Sequence, residues 1–350
     1  MSSKVRIGFV GVGGMGQCAH LKNYATIDEC EVVAMAELRP ELARMVAAKY
    51  AVPQVYRTAD EMLSHVKLDG IVSAQQFSRH GEVILPLYKA GIPILTEKPL
   101  ASSVEVGEHM LAALADGGSW HMVGYHKRSD PAAMYAKAKI NELKQSGELG
   151  RLRYVRILMP AGDWVAGGFN DLIQTTEPYP PSAGDAPATD MDADTYKAYI
   201  AFVNYYIHQV NLMRFLLGEP YRMTYAEPSQ VVLAVQSASV VAGIIEMSPY
   251  QTTEGWQESA LIAFEHGYIK LDLPAPLASN LPGRVELYRD PGRGTTPMLE
   301  TPVLPPVHAM RQQAINFVRS IKGEMQPPCE AAEALEDLRV ARQYFRLMGK

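Results

Sequence analysis

Cysteine is scarce, long apolar runs are absent and no block of like charge occurs, and each shortage excludes a class of protein. Cys18, Cys30 and Cys329 are the three cysteines among 350 residues. They are too few and too scattered for a disulfide framework or a zinc site, and read as reduced thiols of a cytoplasmic protein. No metal site is expected. No run of 18 apolar residues is present, so no membrane-spanning helix is expected. The opening MSSKVRIGFVGVG enters a strand-like run after four residues, which leaves no room for a cleavable export signal. Thirty-three lysines and arginines face 38 aspartates and glutamates, a net charge of −5 with no basic patch. That balance argues against a nucleic acid or an anionic membrane as partner.

What is present is ordinary globular material, 47% apolar and 20% charged, in a chain long enough for two domains. Over its first third, strand and helix patterns alternate. Short apolar runs predict strands over 5–10, 31–36, 70–74 and 92–96. Helical spacing predicts helices over 15–24, from Pro40 onward, over 81–90 and over 104–116, with Ser102 and Glu105 as a capping box and Gly117 as a stop. Pro86 should kink the third of these helices or mark its first turns. Such alternation with short connections implies an α/β fold, a doubly wound parallel sheet with helices on both faces.

Between the first strand and helix, Gly11, Gly13 and Gly16 have the spacing G-x-G-x-x-G. Alone this is weak, but a βαβ unit with the acidic Glu37 closing its second strand is the context a dinucleotide requires. Gly11 permits the tight turn, Gly13 lets the backbone approach a pyrophosphate, and Gly16 allows close helix packing. Gly14 and Met15 complete the loop, and the helix start offers free N–H groups. Glu37 would accept the ribose hydroxyls and repel a 2′-phosphate, favouring NAD over NADP. Arg39 either stacks on adenine, accepts a 2′-phosphate or is a solvated charge.

Thr96-Glu97-Lys98-Pro99-Leu100 closes the strand over 92–96 and continues beyond it, and a mid-chain helix ends in HQVNLMRFLLGEP. Together with GVGGMG, these motifs resemble the Gfo/Idh/MocA oxidoreductase family over nearly the whole chain. VGYHKRSDP at 123–131 is similar to that family's domain crossover, and His80 matches a histidine that follows its fourth strand. The resemblance implies a Rossmann domain over 1–125, a substrate and oligomerisation domain with a large, mostly antiparallel open sheet over 126–305, and C-terminal helices over 306–350 packing back on the body. It also implies that Lys98 reaches the substrate oxygen beside the nicotinamide, with His208 facing it as acid or base. His80, Glu97 and Gln75 would border the cofactor, and Tyr125, His126 and Arg128 the substrate pocket. The resemblance further implies a dimer or tetramer through the C-terminal sheet.

Two places depart from the family pattern. Asn204 stands where aspartate is usual; four residues before His208 on one predicted helix over 193–217, it would share a face with His208 and orient its ring without adding charge. The proton could instead be carried by Lys98, Tyr205 or Tyr206. Gln75-Gln76-Phe77 replaces the usual Thr-Pro-Asn, which leaves contacts near the nicotinamide ribose open.

The second half predicts a helix over 131–145, capped by Asp130 and stopped by Gly147, then strands over 152–158, 230–235, 239–246, 260–264, 268–273 and 285–289. Amphipathic helices over 308–321 and 330–347 close it. The stretch 159–194, rich in Pro, Gly and Asp, is irregular. Loops this long are usually functional or mobile. Its Trp164 is either an aromatic platform for a sugar ring, part of an oligomer arm, or exposed without a role. The chemistry these residues suit is hydride transfer between NAD and a hydroxyl of a sugar, inositol or glycoside, where a base takes the proton and an ammonium steadies the alkoxide. Two alternatives use the same parts: elimination or glycoside cleavage by transient oxidation, and a non-catalytic NAD(H)-binding regulator.

Overall fold

The computed structural model describes residues 4–182 and 184–349. The chain divides into two compact units, the first comprising Met1–Tyr125, Gly167–Tyr196 and Gln313–Leu338, the second His126–Ala166, Lys197–Gln312 and Arg339–Lys350. The division differs from the expected one in two places. Most of the irregular stretch belongs with the first unit, and the residues of 306–350 divide between both. Among the described residues, no helix is long and apolar enough to cross a membrane.

The first unit is built on β1 (Val5–Val10), β2 (Cys30–Ala36), β3 (Gln54–Tyr56), β4 (Gly70–Ser73), β5 (Ile94–Glu97) and β6 (His121–Gly124), all parallel in the order β3-β2-β1-β4-β5-β6. That order reverses direction after β1, which creates the crevice where such sheets bind ligands. Every residue of β4, β5 and β6 is buried, as their apolar sequences require of strands covered on both faces. Ile7, Phe9, Met35, Leu42, Val72 and Leu95 form the core with Phe317 from the helix Ala309–Ile321. Burying each of these side chains contributes roughly 1.5–3 kcal/mol.

Local chemistry sets the helix ends, with some corrections. Ser103, not Ser102, caps the helix Val104–Gly117 by accepting the Val106 N–H at 3.2 Å, and the left-handed stop is Gly118 (φ 68°), not Gly117. Pro86 falls in the last turn of His80–Tyr88, where the helix is ending anyway. The helix after the glycine loop is a π-helix over Gly16–Leu21 and turns α-helical at Lys22–Tyr24. The short strands β3 and β6 and the helix Ala59–His65 carried too few periods to stand out in the sequence.

The second unit holds an eight-stranded sheet: β7 (Leu152–Ala161), β8 (Tyr221–Ala226), β9 (Val232–Ser237), β10 (Ala242–Gln251), β11 (Ser259–Phe264), β12 (Gly267–Asp272), β13 (Arg284–Arg289) and β14 (Met298–Glu300). Its order is β14-β13-β12-β11-β7-β10-β9-β8, antiparallel except where β7 meets β10. Along β9 and β11 buried and half-buried residues alternate, so one face is covered and the other is not. The helices Pro131–Ser146 and Ile207–Leu217 pack on the sheet. Asp130 and Gly147 cap and stop the first of these as expected.

Candidate active site

At the end of β1 the chain turns through Gly11 at φ 84°, where a Cβ would lie 2.2 Å from the Gln75 amide. A Cβ on Gly16 would lie 2.6 Å from the Gly11 carbonyl oxygen, so helix and turn can approach only with glycine at both places. Gly13, Gly14 and Met15 remain half-exposed above this turn. A loop of this shape fits a pyrophosphate, to which backbone N–H groups at a helix start can donate. Gln75 braces the same turn, its Nε2 donating to the Val10 carbonyl at 3.2 Å.

Glu37, just beyond β2, is nearly buried. Its carboxylate accepts the Val12 N–H at 3.1 Å, the Arg39 N–H at 3.1 Å and the Arg39 side chain through Nε at 2.8 Å and Nη2 at 3.1 Å. Arg39 is therefore not a solvated charge: it is 9% exposed, and the Tyr179 ring lies 4.1 Å from its guanidinium carbon. The Glu37 hydrogen bond, opposed by burial, raises the Arg39 pKa further. Beside Glu37 a cleft of about 370 Å³ opens, lined by Leu38, Pro40, Ala43, Arg44 and Tyr56 among others. Glycine cradle, carboxylate and adjoining cleft together fit a dinucleotide.

Lys98 follows β5 half-buried, with its neighbour Glu97 held firmly. Burial would push the Glu97 carboxyl up. The hydrogen bond from His20 Nε2 at 2.7 Å, with the His20 and Lys98 charges, outweighs it and leaves the carboxyl below its ordinary value. The π-helix Gly16–Leu21 is what carries His20 here. On the other side, His80 Nδ1 bonds the Leu100 carbonyl at 2.9 Å, tying the loop to the helix His80–Tyr88. Burial lowers the His80 pKa, which keeps the ring neutral. His80 thus supports the Lys98 loop from a fully buried position. Tyr125, just past β6, is also buried.

The irregular stretch runs along this same unit as a fastened strap. Phe169 and Leu172 lie nearest the open side of Gly14. Ile173 exchanges two hydrogen bonds with the Gln17 amide, at 3.0 and 3.1 Å. The Glu177 carboxylate accepts the N–H groups of Glu41 and Leu42 at 3.0 and 2.9 Å, and Asp185 accepts that of Gly81 at 3.0 Å. Each carboxylate supplies a helix N-terminus with the acceptor and negative charge it lacks. Trp164 lies outside the strap, 36% exposed in the second unit, its carbonyl accepting the Leu277 N–H at 3.2 Å.

In the second unit the expected long helix is broken. It runs Ala193–Tyr205, turns at Tyr206 and restarts as Ile207–Leu217. The four-residue spacing of Asn204 and His208 thus spans a break, and Asn204 is exposed while His208 is half-buried. The ring of His208 meets that of His126 edge to face at 4.8 Å. Tyr205 is half-buried beside Tyr206, at 5.1 Å between rings; burial, then the neighbouring Tyr206, raises its pKa. Arg128 is buried, its Nε donating to Asn211 Oδ1 at 2.6 Å and its guanidinium carbon 5.1 Å from the Phe215 ring centroid.

Sequence reasoning missed the polar cluster beside these residues. Lys127 and Glu258 form a buried ion pair, and Glu258 also accepts from Gln209 Nε2 at 2.8 Å. Lys127 is hidden in the sequence between His126 and Arg128, and Glu258 reads as a solvated charge before β11. Nothing local pairs them. Among the described residues, no group of three or more His, Cys, Asp or Glu could hold a metal ion.

Residues 5–125 match the Gfo/Idh/MocA model, described as an oxidoreductase family with an NAD-binding Rossmann fold. The chain is 22% identical over 228 residues to myo-inositol 2-dehydrogenase of Thermotoga maritima, covering 65% of this chain and 59% of that protein. To inositol 2-dehydrogenase of Acidothermus cellulolyticus it is 29% identical over 148 residues, 42% of each. It thus spans about half the length of the curated relatives it matches. Aldose-aldose oxidoreductase from Caulobacter crescentus, solved with glycerol, has the same fold, with a TM-score of 0.70 at 17% identity over 99% of this chain and 98% of that one. Over residues 5–125 the chain is thus similar to the NAD-binding Rossmann domain of the Gfo/Idh/MocA oxidoreductases.

Proposed function

We propose that the protein is an NAD-dependent oxidoreductase acting on a secondary hydroxyl of a cyclitol, sugar or glycoside. The observation that carries this reading is the glycine cradle with Glu37 and the Lys98 loop in one unit. NAD, when bound, supplies the hydride acceptor. Gly11, Gly13, Gly14, Met15 and Gly16 would hold its pyrophosphate and Glu37 its adenosine ribose, which supports NAD over NADP. Lys98 would steady the substrate oxygen as its proton leaves, and His208, with His126 against its ring, would exchange that proton. The named relatives act on inositols, which supports a polyhydroxylated ring as substrate. The uncovered face of the eight-stranded sheet supports assembly of two or four copies through it.

Absorbance at 340 nm with NAD, across inositols, aldoses, sugar acids and glycosides, is the test, with products followed by mass spectrometry. NADH formation on one of these supports the reading. No NADH and no product across the panel, from protein shown to bind NADH, overturns it. A second reading, turnover with no net NADH, is favoured by the strap beside Gly14, which would retain a dinucleotide. Product without NADH is its signature.

A further inference from the structure

Arg39 is the residue type that recognises a 2′-phosphate, placed two residues beyond the carboxylate that would meet a ribose. The structure withholds it in two ways. Its Nε and Nη2 are both engaged by Glu37, in the fork geometry that suits a carboxylate. The Tyr179 ring covers the guanidinium at 4.1 Å. Tyr179 is itself 66% exposed, so it is the outer layer and Arg39, 9% exposed, the inner one.

Tyr179 is held rather than loose. Two residues before it, Glu177 is anchored on the N–H groups of Glu41 and Leu42; three residues after it, the Ser182 hydroxyl donates to Glu82 at 2.7 Å. Tyr179 and Arg39 are also the side chains nearest the open side of Gly13, where a Cβ would lie 3.5 Å from the Tyr179 hydroxyl and 3.8 Å from Arg39 Nη2. The pair therefore stands at the edge of the cradle. For Arg39 to meet a 2′-phosphate its guanidinium must leave Glu37 and come out from under the ring.

We infer that Tyr179 is a positioning residue for cofactor selectivity, holding Arg39 on Glu37 and so keeping it from the 2′-phosphate that distinguishes NADP from NAD. The inference rests on the proposed dinucleotide site and adds a determinant supplied by the strap, outside the glycine loop and β2.

Fluorescence titration of the purified full chain with NADH and NADPH tests it without turnover. The protein should bind NADH more tightly. Tyr179→Ala and Tyr179→Leu, which lack a π face, should narrow the NADH:NADPH affinity ratio by about two- to fivefold, the equivalent of a contact of about 0.5–1 kcal/mol. Tyr179→Phe should keep the ratio, and in an Arg39→Ala background Tyr179→Ala should leave it unmoved. Equal weakening of both dinucleotides, a narrowed ratio that persists without Arg39, or tighter binding of NADPH by the unaltered protein would overturn the inference while leaving the dinucleotide site standing. Binding of neither dinucleotide would overturn the site itself, and the inference with it.

Discussion

Glu37 and Arg39 stand two residues apart, whereas Lys127 and Glu258 stand 131 apart, yet both pairs are buried ions. The first, in the parallel-sheet unit, is made by one tight turn after β2 and sits on a motif that can be read by eye. The second, in the sheet unit, exists only because the turn after β6 and the start of β11 meet in the folded chain. The contrast separates two kinds of dependence. In the first unit local backbone geometry presents reactive groups, and their removal should change chemistry more than stability. In the second, long-range polar pairs hold the architecture, and their removal should change stability first.

The sharpest test of the first half is Lys98→Ala. Loss of a positioned proton-transfer or alkoxide-stabilising group should lower kcat by about 10²–10⁴-fold. NADH affinity and the urea midpoint should stay near those of the unaltered protein, because Lys98 is half-buried at a loop. Full turnover in the variant would remove Lys98 from the chemistry.

The next effect tests the second half. Lys127→Met leaves the Glu258 carboxylate buried without its cation, and should cost about 3–5 kcal/mol in urea unfolding. Adding Glu258→Gln should recover most of it, since the amide can still meet Gln209 and no charge remains buried. A Lys127→Met protein as stable as the parent would show that the cluster does not hold this unit together.

These dependences also mark what was legible in the sequence. The parallel sheet, the glycine cradle, Glu37, and the Asp130 and Gly147 caps were readable because each is fixed by residues within a few positions of it. The helix over 193–217 misled because its apolar spacing continues through Tyr206, where the backbone turns and restarts. The expectation that Asn204 and His208 share one helix face rested on that continuity, and their four-residue spacing spans the break. The partners of Arg128, Asn211 and Phe215, lie on a helix far along the chain, so nothing near Arg128 in the sequence announces them. The strap offered composition alone; its Phe169, Glu177 and Tyr179 acquire meaning only against Gly14, Leu42 and Arg39.

A smaller effect distinguishes burial from hydrogen bonding inside the second unit. Burial pushes the Asp130 carboxyl from 3.8 up to about 6, against the pull of the Ala132 and Gly283 N–H groups. The folded protein then keeps a proton that the unfolded chain gives up between about pH 4 and 6. Stability from this group is present below that window and is lost as pH rises through it, by about 2–3 kcal/mol. Asp130→Asn keeps an acceptor for the helix but cannot ionise. Its stability relative to the parent should therefore rise from pH 4 to pH 6 in urea titrations. A difference that does not change with pH would mean that the N–H groups, not burial, govern this carboxyl.

The smallest effect returns to the first unit and to a choice between neighbours. Ser102 and Ser103 both precede the helix Val104–Gly117, and the capping-box spacing to Glu105 pointed to Ser102. The backbone decides otherwise: Ser103 has the extended conformation of a cap (φ −152°, ψ 166°), and its side chain accepts the Val106 N–H. Removing that acceptor leaves one of the four unpaired N–H groups at the helix start, and Ser103→Ala should cost about 1 kcal/mol. Because the cap is a local device, the loss should appear in the unfolding midpoint and leave NADH affinity unchanged. A comparable fall in NADH affinity would show that even so local a contact sets the geometry of the Lys98 loop that precedes it, and the separation between local and long-range dependence in the two units would then be weaker than their two ion pairs suggest.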